Sequence, residues 1–155
     1  MKILMVCLGN ICRSPIAHGI MEAKVKSKGL DWQVDSAGTS GWHDGEQPDR
    51  RAISTAKMHG IDISHQRSRR ITKQDIQAFD VILTMDMQNY KDVLHLCHTT
   101  LERNKVHLIR NYVQPEKDLS VPDPYYDGKF EEVYVLLDEV INGVIHQLLE
   151  VEATL

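Results

Sequence analysis

Two rhythms alternate along the chain. Lys2-Ile3-Leu4-Met5-Val6 is a short apolar run, the pattern of a strand buried on both faces. Residues 32–37 alternate well enough for a second strand, residues 80–85 make a third around Val81-Ile82-Leu83, and residues 106–110 a fourth. Between them the period lengthens to that of a helix. Ile16, Ile20 and Ala23, with Ala17 and Met21 beside them, mark a helix over residues 14–28 that Gly29 ends. Pro48 and Asp49 open a second helix that runs through Met58 and stops at Gly60. Thr72-Lys73-Gln74-Asp75 carries the cap pattern of a short third, and Asp86 begins a fourth through about Leu96. Residues 129–150 predict a long last helix, with Phe130, Val133, Leu137, Val140, Val144 and Leu148 near helical spacing. Residues 61–71 are irregular and basic, and Arg67, Arg69 and Arg70 there read as a solvated face. Strands alternating with helices imply an α/β fold: one domain over residues 1–155, a doubly wound parallel sheet with helices on both faces. Ligands of such sheets bind beyond the carboxyl ends of the strands.

The loop after the first strand sits there, and it carries the chemistry. Val6-Cys7-Leu8-Gly9-Asn10-Ile11-Cys12-Arg13-Ser14-Pro15 reads as strand, tight loop and helix N-terminus, with Ser14 suited to cap the helix and Pro15 to its first position. Such a loop turns successive backbone N–H groups inward and sets a helix dipole behind them, which makes an anion cradle. Into it the sequence puts one thiol, Cys7, and one guanidinium, Arg13. The N–H groups, the dipole and Arg13 all favour a thiolate. Arg13 can grip two phosphoryl oxygens at once, so the pair suggests a nucleophile aimed at phosphorus. A free cysteine is more often a small buried hydrophobe. The place of Cys7, straight after a strand and before a helix, favours catalysis. The loop lacks the Gly-Lys-Ser/Thr ending of a nucleotide cradle, which argues against ATP or GTP.

Composition narrows the partners. With 18 basic and 22 acidic residues the formal charge is −4, which offers no bulk attraction for nucleic acid or an anionic membrane. Residues 1–8 are too short for a signal-peptide core, and no apolar span approaches membrane length. Three cysteines without a pairing framework fit a reducing, cytoplasmic setting. The eight histidines show no zinc-ligand spacing, so neither a metal nor another cofactor is expected.

Residues 7–14 resemble the phosphate loop of the low-molecular-weight protein tyrosine phosphatases, and Asp123-Pro124-Tyr125-Tyr126 resembles that family's general-acid loop. Ser36-Ala37-Gly38-Thr39-Ser40 and His59-Gly60-Ile61 are further landmarks, so the resemblance spans nearly the whole chain. It implies a four-stranded sheet ordered 2-1-3-4 and hydrolysis of phosphotyrosine proteins and small aryl phosphates, with phosphate as product and inhibitor. Cys7 would carry a phosphocysteine, Arg13 would hold the phosphoryl oxygens, and Asp123 would act as general acid, then base. Leu8, Gly9, Asn10, Ile11, Cys12 and Ser14 would line the phosphate site, with the Ser14 hydroxyl donating to the Cys7 sulfur. Gly9 permits a tight backbone, and Asn10 tolerates a positive φ. The family pattern sets Ser36 and His65 in a network holding Asn10, though a surface histidine is the plainer reading of His65. Trp42 would wall the pocket rather than pack in the core, and Tyr125 and Tyr126 would shape its rim. Cys12 is either a small packing residue or, as in the family, the partner of a reversible disulfide with Cys7.

Alternatives of the same fold remain. Members that look like protein arginine phosphatases carry Thr in place of Ile11 and one aromatic after the Asp-Pro, whereas this chain has two. An arsenate reductase needs two more cysteines, and only Cys97 is available. A non-catalytic phosphate-binding module would have no use for Cys7 with Asp123, and a phosphocysteine carrier does not need the acid. Should Asp123 fail as the acid, Asp86 is next.

Overall fold

Parallel strands need a crossover between them, and a helix after each strand supplies it. The computed structural model describes Met1–Leu155. Its strands β1 (Lys2–Cys7), β2 (Gln33–Gly38), β3 (Val81–Thr84) and β4 (Val106–Leu108) form one parallel sheet in the order β2–β1–β3–β4. Seven helices connect and cover it: α1 (Arg13–Ser27), α2 (Arg50–Met58), α3 (Lys73–Ala78), α4 (Met87–Leu94), α5 (Thr100–Arg103), α6 (Pro124–Asp127) and α7 (Phe130–Ala153).

Alternation along β1 divides the interior. Ile3, Met5 and Cys7 join the larger core with Ile16 and Ile20 of α1, Ala52 and Ala56 of α2 and the apolar face of α7. Leu4 and Val6 point the other way, into a smaller core with Ile76, Ile82 and Val93. The chain leaves β1 for β2 on one side and later returns to β3 on the other. That reversal makes the end of β1 the switch point of the sheet, and Cys7 stands on it, opposite Gly38. No helix is long and apolar enough to cross a membrane.

Several predicted boundaries move. Helix α1 starts at Arg13 with Cys12 at its N-cap, so Ser14 does not cap it and Pro15 falls later in the first turn. Pro15 is tolerated there because its absent N–H is one of the four that no helix satisfies internally. The fourth strand ends at Leu108, where the chain tightens into a 3₁₀ turn over Ile109–Tyr112. Helices α5 and α6 go unpredicted, being too short to show a period. Arg69 is not a solvated residue. It forks onto Asp75 at 2.9 and 3.1 Å and reaches Asp35 at 3.0 Å, while its C=O accepts from Gly38 N–H. Arg67 and Arg70 are exposed as expected.

Candidate active site

Glycine decides how the loop after β1 lies. A Cβ on Gly38 would stand 2.7 Å from the Leu8 carbonyl oxygen and 3.2 Å from Asn10, so only glycine lets the loop fold onto the end of β2. Asn10 takes φ 57°, in the left-handed region, and turns the chain back. The loop's carbonyls are then consumed from outside. Those of Cys7 and Leu8 accept from Thr39 and Ser40 N–H, that of Ile11 from Asp49 N–H, and that of Gly9 from the Ser68 hydroxyl. By contrast, the backbone N–H groups of residues 8–13 donate to no protein acceptor. A run of unclaimed donors at a helix start is an anion cradle.

Beneath the cradle the hydrogen-bond directions can be worked out. The Asn10 side-chain amide donates to the Ser14 hydroxyl at 2.7 Å and to the Ser36 hydroxyl at 3.0 Å, and its carbonyl accepts from Arg69 N–H. Ser14 Oγ, having accepted, keeps its one proton for Cys7 Sγ, 3.1 Å away. Ser36 Oγ likewise offers its proton to His18 Nδ1 at 3.2 Å, and His18 Nε2 faces Glu22 at 3.2 Å. The histidine reaching Ser36 is therefore His18, and His65 is exposed with no bond to Asn10. Gln66 and Ser68 take the inward places beside it, bonding Pro15 and Gly9 carbonyls. The missed signal is helical spacing: Ser14, His18 and Glu22 make one polar stripe along α1. The side chains of Asn10 and Ser14 accordingly lie beneath the loop and not on the lining of the cavity above it.

Arg13 is buried, and its Nη1 donates to Asp86 at 2.8 Å and to the Val121 carbonyl at 3.0 Å. Burial works against its charge, but Cys7 and the hydrogen bond to Asp86 outweigh that, so the guanidinium holds its proton more tightly than usual. Asp86 thus anchors Arg13 while its other oxygen caps α4 through Asn89 N–H at 2.8 Å, an occupation that fits poorly with the reserve acid role. Asp123 caps α6 in turn. Its Oδ1 accepts from Tyr125 N–H at 3.0 Å, and Oδ2 lies 3.9 Å from Arg13 Nη2.

These parts converge on a cavity of about 170 Å³. Cys7, Leu8, Gly9, Ile11, Cys12 and Arg13 make its base, and Asp123, Tyr125 and Tyr126 one wall. Trp42 lines the same cavity, 78% exposed and outside the core. Beside it is His43, which sequence reasoning missed. Its ring lies 3.2 Å from where a Cβ on Gly9 would be, and Nδ1 is engaged by Glu46. Burial pushes the Cys12 thiol far up, with Asp49 and then Cys7 adding to it. Cys12 is therefore a protonated neighbour of Cys7. The arrangement suits a nucleophile below a bound oxyanion, with a carboxyl group and aromatic rings above.

Residues 2–153 match the family model described as low molecular weight phosphotyrosine protein phosphatase. The chain belongs to that family. It is 44% identical over 138 residues to the low molecular weight phosphotyrosine protein phosphatase of Homo sapiens, 86% of each chain being covered. A solved protein tyrosine phosphatase from Entamoeba histolytica superposes with a TM-score of 0.90 at 35% identity, over 98% of this chain and 99% of that one. A Drosophila arginine phosphatase superposes with a TM-score of 0.88 at 33% identity, over 96% and 98%. As a member of the family, the chain is a phosphatase, a hydrolase.

Proposed function

We propose that this phosphatase hydrolyses phosphotyrosine through a phosphocysteine on Cys7, with Asp123 as general acid and then base. One observation carries the reading: Cys7 and Arg13 of the loop after β1 and Asp123, from the other end of the chain, line one cavity with an aromatic rim. In the first step the Cys7 thiolate bonds to phosphorus as the bond to the phenolic oxygen breaks. Arg13 and the free N–H groups of residues 8–13 bind the non-bridging oxygens, and Asp123 passes its proton to the departing oxygen. In the second step the Asp123 carboxylate takes a proton from water, whose oxygen bonds to phosphorus while the sulfur–phosphorus bond breaks. The Ser14 hydroxyl receives the returning negative charge on sulfur. Oxidation of Cys7 to a sulfenic acid would be answered by Cys12, whose thiol condenses with it to a disulfide and releases water.

Substrate choice belongs to the rim. Ile11, Trp42, Tyr125 and Tyr126 line the same cavity, and their apolar and aromatic surface suits a flat aryl stem. The likeness to an arginine phosphatase gives phosphoarginine as the second reading. A third, arsenate reduction, loses support because Cys97 is buried in the core on the opposite face of the sheet from Cys7. Buried, unpaired cysteines support a reducing cytoplasm as the setting. The test is turnover of phosphotyrosine, phosphoserine and phosphoarginine peptides by wild type, Ile11→Thr and Cys7→Ser. Phosphotyrosine should be strongly preferred, Ile11→Thr should move preference towards phosphoarginine, and Cys7→Ser should be inactive yet still bind vanadate. Equal wild-type rates on phosphotyrosine and phosphoserine would refute the aromatic-rim reading.

A further inference from the structure

The turn that carries Asp123 is weakly held. Helix α6 has four residues, too few to be stable alone. The hydrogen bonds of residues 122–127 close on residues 123–129 themselves, with one exception: Arg51 Nη2 donates to the Tyr125 carbonyl at 3.0 Å. The same guanidinium stacks over the Tyr125 ring at 5.5 Å and the Phe130 ring at 4.7 Å, so it grips both ends of the turn. Its Nε–Nη2 edge forks onto Asp49, Nε at 3.1 Å from Oδ1 and Nη2 at 3.0 Å from Oδ2, so Nη2 serves both Asp49 and the Tyr125 carbonyl. Asp49 in turn is tied to the phosphate loop, because its backbone N–H donates to the Ile11 carbonyl at 2.8 Å. A continuous line therefore runs from Ile11 through Asp49, Arg51 and Tyr125 to Asp123. An exposed Arg–Asp pair by itself contributes little. This one matters because it connects two loops that must hold a fixed distance.

We propose that Arg51 is a positioning residue that fixes the acid-bearing turn over the phosphate loop, and so sets the aim of Asp123 at the leaving oxygen. The proposal rests on the acid role given to Asp123 above. Lysine cannot replace it fully, since a point charge cannot fork onto Asp49, reach the Tyr125 carbonyl and stack on two rings together.

The experiment measures kcat/KM over a series of aryl phosphates of graded phenol acidity. It uses wild type, Arg51→Ala, Arg51→Lys, Asp123→Asn and the Arg51→Ala/Asp123→Asn double variant, with vanadate affinity alongside. Arg51→Ala is expected to lose about 10- to 10²-fold on phenyl phosphate, as for a displaced catalytic group. The loss should shrink as the phenol becomes more acidic. Arg51→Lys should fall between it and wild type. In the Asp123→Asn background the same change should cost no more than about 2-fold, since the two act as a unit. Vanadate affinity should stay near that of wild type. A loss equal across the series, one that persists in full without Asp123, or one matched by vanadate binding would overturn the role of Arg51. If Asp123→Asn itself shows no leaving-group dependence, the acid assignment fails and takes the role of Arg51 with it.

Discussion

Single residues carry the sharpest demands. The proposed mechanism asks Asp123 to give a proton and Cys7 to attack, and Arg13, its charge favoured by Cys7 and by the hydrogen bond to Asp86, lies 3.9 Å from Asp123. Replacing Asp123 by Asn should slow hydrolysis of phenyl phosphate by roughly 10²–10⁴-fold, the usual worth of general acid–base catalysis. The loss should diminish for more acidic phenols, which leave as their own anions; a uniform loss would make Asp123 a turn former only. That Cys7, Arg13 and Asp123 share one cavity was legible in the sequence, because each sits in a motif whose order and spacing are distinctive. The contacts of His18 with Ser36, of Asp86 with Arg13 and of Arg51 with the Tyr125 carbonyl were not, because pairs so distant in sequence leave no local signature. For these contacts only His18 had a local clue, its spacing from Ser14. His65 misled for the opposite reason: it lies in an irregular loop, where position in sequence says little about which side chains turn inward.

Elements with an apolar pattern or a recognised cap were legible, and the four-residue helices α5 and α6 were not. The buried strand β1 and the helix α7 announce themselves by apolar pattern, whereas α5 and α6 rest on caps alone. Thr99 with Glu102 forms a capping box at the head of α5, a readable signal in the absence of any period. Ser14 misled in turn, because a residue type that favours helix caps is here turned down to the thiol. The packing of the loop on β2 gives a prediction at this scale. Gly38→Ala would press a methyl group against the Leu8 carbonyl, and backbone has little room to yield. The phosphate loop must then shift. Vanadate affinity and kcat/KM should both fall, the latter by about 10²-fold, while circular dichroism stays that of the wild type. Undiminished vanadate binding would contradict this account of the loop.

The whole molecule titrates at two margins. Glu22 and Asp49 are held below the ordinary carboxylate range, Glu22 chiefly by its hydrogen bond with His18 and Asp49 chiefly by that with Arg51, with burial opposing both. Groups lowered in this way stabilise the fold above their unfolded pKa, and the contribution is lost as pH falls through the folded value. Burial acts in the other direction on Cys12 and Cys97, whose thiols are raised, and on Tyr112, pushed up to about 12. Their contribution is whole below the unfolded pKa and is lost as pH rises towards the folded one. The melting temperature should therefore be flat only between about pH 7 and pH 8, falling on the acid side first as His107, lowered by burial, is protonated and then through the carboxylate range, and on the alkaline side from the thiol range upwards. A Cys12→Ala/Cys97→Ala variant should carry the start of the alkaline fall up towards the phenol range. An unmoved alkaline limb would contradict the burial argument. At this scale the doubly wound sheet was readable from the alternation of elements. The side-by-side placement of β1 and β3, which makes the switch point, came from family resemblance, because a strand's pattern does not name its neighbour.

The most direct test is to catch the phosphoryl group on the enzyme. On the proposed mechanism Asp123→Asn should still admit attack on p-nitrophenyl phosphate, whose leaving group needs little help, but should lack the base for the second step. Alkaline quenching during turnover, followed by peptide mass spectrometry, should find one phosphoryl group on the peptide that holds Cys7, whereas Cys7→Ser should show no turnover. Turnover by Cys7→Ser, or a phosphoryl group on any other residue, would contradict the assignment of Cys7 as nucleophile.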